Sequence, residues 1–200
     1  MPIERLVDVE RLRAGVLQTT GRLEANPDGG LIRPFVEARL IRDVSVELRW
    51  EQFGKDFTLR SDEPTGRGGQ GTGPTAIRYF LSGIASCLQV WFAKSAALTG
   101  CELTRSTLRL EAALDMRVEY GLAPGGGPEY LLSRAVIESS SSDDLVLAMA
   151  DEAHRRCPLW NLVTRGMPGY RQVEHDGRLI LDTLPGGGDA AEDEAPAARP

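Results

Sequence analysis

The chain has 200 residues, 42% of them hydrophobic, which allows one sizeable core and is ordinary for a globular protein. Its net charge is −6, half of it beyond Leu184, where Asp189, Glu192, Asp193 and Glu194 face only Arg199. With no basic stripe and no run of eighteen apolar residues, the sequence argues against a nucleic-acid partner and against a membrane span.

The first thirteen residues mix acids and bases without an apolar block, so they are not read as a secretory signal, and a cytoplasmic location is expected. Ile3, Leu6, Val7, Leu12, Val16 and Leu17 recur at roughly helical spacing, which predicts a helix over 3–22, broken at Asn26-Pro27-Asp28-Gly29-Gly30. We read 1–34 as a helical arm that docks on the domain that follows.

Val44, Val46, Leu48 and Trp50 alternate with Ser45, Glu47 and Arg49, the period of a half-buried strand. Gly54 marks a turn, and Phe57 and Leu59 return as the second strand of a hairpin. Residues 61–73 hold five glycines and Pro64. They lack Walker spacing and read as a flexible connection rather than a phosphate cradle.

Pro74 is expected to open the strongest helix. Ile77, Phe80, Leu81, Ile84, Leu88 and Trp91 repeat at helical spacing among many small residues, and Gly100 ends it. A helix this apolar is predicted to be buried on most sides. One parity then runs from Leu108 to Tyr120 in a long strand, and 130–139 returns. Ser141 to Asp144 offer caps for a helix that Pro158 should stop at Cys157. A hairpin over 173–183, turning at Asp176-Gly177, closes the domain assigned to 35–184. The stretch 185–200, rich in Pro, Gly, Ala and acid, is expected to be a disordered tail. Antiparallel hairpins with helices set apart define an α+β fold.

Three cysteines, Cys87, Cys101 and Cys157, form neither a CxxC pair nor a finger spacing. His154 lies three residues before Cys157, on one face if both are helical, but nothing completes a metal site. No metal and no organic cofactor is expected. Cys101 reads as a small apolar residue at a helix–strand junction.

Two segments carry motifs. One runs from Ser61-Asp62-Glu63-Pro64 through Gly73-Pro74 to Leu81-Ser82-Gly83-Ile84-Ala85-Ser86-Cys87, and the other is Cys157-Pro158-Leu159-Trp160-Asn161 after His154. In this order they resemble the OsmC/Ohr family over roughly residues 40–183. The resemblance implies antiparallel sheets wrapped around a long central helix in an intertwined homodimer. It implies a thiol-dependent peroxidase for organic hydroperoxides, active in oxidative stress defence. Cys87 would become a sulfenic acid, Cys157 would resolve it as a disulfide, and a thiol or dithiol reductant would reopen that bond.

The residues fit this chemistry, because a thiolate cleaves an O–O bond and a nearby second thiol intercepts the sulfenic acid before over-oxidation. Burial would oppose the thiolate, so a cation is needed. Lys94 is seven residues on, on the same helical face but about 10 Å along the axis. The Cys157 thiolate is expected to be favoured by amides of a helical turn begun by Pro158. The organic-hydroperoxide branch carries a Glu ten residues before its first Cys, which orients an activating Arg. Here Ile77 stands there, and Arg78, nine before, points away. Arg49, Lys55 and Arg60 are the nearby candidates for the missing cation. Phe80, Trp91 and Trp160 could line an apolar substrate pocket, although Phe80 and Trp91 also suit a core. The alternative reading is a non-catalytic dimer that binds an apolar small molecule, or a slow redox sensor.

Overall fold

The computed structural model describes residues 6–166, 172–175 and 178–182. The chain divides into two compact units, Met1–Asn161 and Leu162–Pro200. In the second, β6 (Gln172–His175) pairs antiparallel with β7 (Arg178–Asp182), the predicted closing hairpin; its turn and the acidic tail lie outside the described residues.

The first unit begins with α1 (Val9–Ala25). The helix starts later than its apolar spacing predicts because Asp8 caps it, accepting from the Arg11 N–H at 3.0 Å. Ahead of the cap, the Leu6 N–H donates to the Leu103 carbonyl and Val7 is buried. Arg13 Nε donates to the Ala97 carbonyl at 2.7 Å, fastening the helix to its neighbour.

Next come three antiparallel strands, β1 (Glu37–Arg42), β2 (Ser45–Gln52) and β3 (Lys55–Ser61), in that spatial order. The sequence reading found β2 and β3 and missed β1. Phe53 and Gly54 turn the β2–β3 hairpin, both with positive φ (57° and 67°), the geometry that matches strand twist in a two-residue loop. Paired residues share a face. Leu40 pairs with Val46, Ala38 with Leu48, Leu48 with Leu59 and Trp50 with Phe57, so one face is apolar. The other carries Glu37, Arg49, Thr58, Glu47 and Arg60. Within the protomer the apolar face is open: Leu40 is 65% exposed and Leu59 39%.

The glycine-rich segment after β3 is not a loose connection. Asp62 is buried, and its carboxylate accepts from the N–H groups of Glu63, Gln70 and Thr72 and from the Thr72 hydroxyl at 2.7 Å. These bonds, led by the Thr72 N–H, push its carboxyl down to about 2. Gly69 passes so close to the Glu63 carbonyl that a Cβ would stand 1.8 Å from its oxygen. Pro74 lies outside the following helix, and its carbonyl accepts from the Asp62 N–H.

That helix, α2 (Ala76–Thr99), starts after Thr75 and is ended by Gly100 at φ 83°. It packs against α1, against β4 (Arg105–Ala113) and against α4 (Asp143–Arg156). Ile84, Leu88, Phe92, Ser95, Ala96 and Ala97 are its buried residues. The expectation of burial on most sides therefore fails within one protomer: Val90 is 51% exposed and Phe80 41%. By length and composition α2 is the one described helix that could match a bilayer.

β4 pairs with β5 (Tyr130–Glu138). The predicted long strand stops at Ala113. Asp115 caps a single turn, α3 (Met116–Glu119), by accepting from the Arg117 N–H at 2.9 Å and gripping its guanidinium, so local capping overrides the apolar alternation. The described architecture is α+β with antiparallel sheets, as expected.

Candidate functional site

Cys87 sits mid-way along α2 and Cys157 just past the end of α4. Packing of α2 on α4 brings residues seventy positions apart to a sulfur–sulfur distance of 3.3 Å, with no disulfide formed. Bonded sulfurs lie about 2.05 Å apart, so closure requires only a small shift. Cys157 is fully buried, whereas Cys87 is half-buried.

The junction that holds Cys157 is built by its motif. Pro158 cannot continue α4, and it opens α5 (Pro158–Arg165) instead. Cys157 thereby becomes the cap of α5, and its sulfur accepts from the Trp160 N–H at 3.4 Å, as the position of Pro158 suggested. The last carbonyls of a helix have no partner within it. Asn161 Nδ2 supplies one, reaching the carbonyls of His154 (3.2 Å), Arg155 (3.0 Å) and Cys157 (2.8 Å). The fixed spacing from Cys157 to Asn161 is thus a clamp on the α4–α5 bend.

His154 forms the wall behind this bend. Its Nδ1 donates to the Ala150 carbonyl at 2.8 Å, and Nε2 lies 3.2 Å from the Ser133 hydroxyl. The ring meets Trp160 edge-on at 5.0 Å and Phe92 at 5.8 Å. Both ring nitrogens are engaged, and no cluster of three metal-ligating side chains occurs among the described residues.

Burial pushes the Cys157 thiol up to about 11, the Trp160 N–H opposes this, and the neighbouring Cys87 sulfur adds to it. Cys157 therefore keeps its proton at neutral pH and donates it toward Cys87. The two thiols are chemically unequal: one is protonated and buried, the other reaches solvent.

Among the described residues no Lys or Arg nitrogen lies within hydrogen-bonding reach of either sulfur. Lys94 instead places its ammonium 4.9 Å from the centre of the Trp91 ring, with the Arg156 guanidinium at 5.8 Å. Arg78 is exposed, as its angular position predicts, and Ile77 is half-buried. Arg49 bonds Glu47 at 2.7 Å, while Lys55 and Arg60 are exposed on the three-stranded sheet. Of the aromatic residues expected at a pocket, Trp91 lines a cleft beneath α1, Trp160 packs on His154, and Phe80 is largely exposed. Sequence reasoning missed the anchoring role of Asp62 and the Arg156–Trp91 contact. The Asp62-Glu63 pair before a Gly-rich run was the only signal for the first, and none existed for the second.

The OsmC-like protein family model matches residues 69–169, which span α2, both cysteines and Asn161, and the chain belongs to that family. An OsmC-like protein from Mycoplasma pneumoniae has a similar structure at 19% identity, with TM-score 0.57 over 66% of this chain and 88% of that one. A Legionella pneumophila protein described as an organic hydroperoxide resistance protein OsmC gives 21% identity and TM-score 0.51, over 67% of this chain and 90% of that one. These likenesses concern the fold. No curated protein matches the chain in sequence.

Proposed function

We propose that the protein is a thiol-dependent peroxidase that reduces organic hydroperoxides in oxidative stress defence. The observation that carries this reading is the pair of unequal sulfurs at 3.3 Å, with the buried Cys157 thiol directed at Cys87. The Cys87 thiolate attacks one peroxide oxygen, and the O–O bond breaks. The alkoxide leaves as an alcohol after taking a proton, and Cys87 becomes a sulfenic acid. Cys157 sulfur then attacks that sulfur: an S–S bond forms, the S–O bond breaks, and the hydroxyl departs as water with the Cys157 proton. An external thiol or dithiol reopens the disulfide by exchange. No metal or organic cofactor enters any step.

The reading includes a homodimer in the cytoplasm. Support for the dimer is the apolar face of β1–β3 and the uncovered flank of α2, two surfaces that a second copy would bury. The absence of a cation beside Cys87 among the described residues favours one variant, a slow redox sensor that forms the same disulfide without efficient turnover.

The test is consumption of cumene hydroperoxide by reduced protein supplied with a dithiol, beside Cys87→Ser and Cys157→Ser. Turnover lost in Cys87→Ser, with sulfenic or over-oxidised Cys87 in Cys157→Ser, is the expected result. A single equivalent consumed, followed by stalling, assigns the sensor. Activity no greater than in Cys87→Ser overturns both readings and leaves the binding scaffold.

A further inference from the structure

We propose that the cleft beneath α1 is a binding site for a straight-chain carboxylate. The cleft has a volume of ≈ 520 Å³ and lies between α1 and the Trp91 side of α2, with Arg156 of α4 at its rim. That is the size of a small-ligand pocket. Leu12, Val16 and Leu23 of α1 line it, at positions one and two turns apart that put them in a single stripe. From Leu12 to Leu23 the stripe runs about 16 Å at ~1.5 Å per residue, a trough suited to an extended chain rather than to a compact ring.

The charge of the cleft selects the other end of the ligand. Its lining includes Arg11, Lys94 and Arg156 and no carboxylate, on a chain whose net charge is −6. Arg156 shares Glu152 with Arg155, and Arg11 pairs with Asp8. Lys94 has no carboxylate partner among the described residues; it is half-buried, lines the trough, and rests its ammonium on the Trp91 ring. A half-buried cation next to an apolar stripe binds an anion that carries an aliphatic tail better than either feature would alone. A compact phosphate or polyanion without an aliphatic tail would leave the stripe uncovered.

The site is built on the arm that precedes the family match, since α1 ends at Ala25 and the match starts at residue 69. The arm lies outside the matched residues and is held in place by the Arg13 bond to Ala97. The inference does not rest on peroxidase turnover: the cleft stands whether or not the sulfurs react with peroxide.

The experiment is calorimetric titration of the full-length reduced protein with laurate and with dodecyltrimethylammonium, each below its micelle concentration. We expect one laurate per chain, bound at least about tenfold more tightly than the ammonium amphiphile. Lys94→Glu should weaken laurate at least about tenfold, Lys94→Arg should retain it, and Val16→Asp should abolish it with the circular dichroism spectrum unchanged. Equal affinity for the two amphiphiles, or full laurate affinity in Lys94→Glu, overturns the proposal. So does an absence of laurate binding when Val16→Cys is shielded from a maleimide, because the occupant is then protein, either a second copy or the acidic tail.

Discussion

Alkylation of the reduced protein separates the two thiols of the pair. With its thiol raised from the ordinary 9.0 to about 11, Cys157 holds about one hundredth of the thiolate that an unperturbed cysteine has at pH 7.5. Alkylating agents react with thiolate, so its labelling rate falls, by somewhat less than that factor because a more basic thiolate is more nucleophilic, and full burial lowers it further. Cys87 is half-buried and open to reagent from solvent. Iodoacetamide at pH 7.5, followed by peptide mass spectrometry over time, should modify the half-buried Cys87 first and the fully buried Cys157 well after it. Between pH 7 and pH 10 the Cys157 rate should climb about tenfold per unit and level off only near 11. Equal rates at pH 7.5, or a Cys157 profile that levels off near 9.0, would show that Cys157 is not the proton-bearing partner. The assignment of roles would then reverse or fail. The same displacement has a stability sign: the unfolded chain releases this proton first, so the fold loses stability as pH rises from 9.0 toward 11.

Three further outcomes follow from the fold. Asp62 is held at about 2 against an ordinary 3.8, so its contribution is complete above that ordinary value and is lost as pH falls toward 2; melting curves of Asp62→Asn should lack this acid slope, and a slope equal to wild type would refute the anchor. Gly69→Ala should cost at least about 2 kcal/mol in urea unfolding, because the new methyl meets backbone, whereas Gly66→Ala enters open space and should stay within about 0.5 kcal/mol. If the apolar sheet face is the contact between copies, Leu59→Asp should convert a dimer to monomer in sedimentation, and Thr58→Asp, on the opposite face, should not; a wild-type chain that is monomeric at micromolar concentration ends that idea.

The elements with strong local signals were legible in the sequence. Helical spacing with Gly100 as a stop gave α2, and Pro158 gave both the end of α4 and the capping position of Cys157. The β2–β3 hairpin followed from alternation and Gly54. What failed depended on partners distant in sequence or on competing local bonds. The strand β1 is only six residues long and half charged, and its pairing with β2 is what identifies it. Leu114 to Tyr120 kept the strand parity, yet Asp115 diverted the backbone into a turn. The order of the Gly-rich loop rests on Asp62 meeting groups eight and ten residues away, whereas glycine content by itself reads as freedom. The thiol pair was accessible through its motifs alone, since no spacing rule links positions seventy apart. No local motif selected a cation for Cys87: Lys94 shares its helical face but lies two turns on, where it rests against the Trp91 ring.

Seating Cys157 at the start of α5 ties oxidation to backbone order. A thiol sulfur accepts from the Trp160 N–H; a sulfur drawn into a bond with Cys87 turns its lone pairs elsewhere and leaves that amide without its cap. The first turn of α5 then loosens beside an indole already in edge contact with His154. Under the proposed chemistry, Trp160 emission should shift when the disulfide closes and recover on reduction; emission unchanged through that cycle would show the cap to be indifferent to the bond.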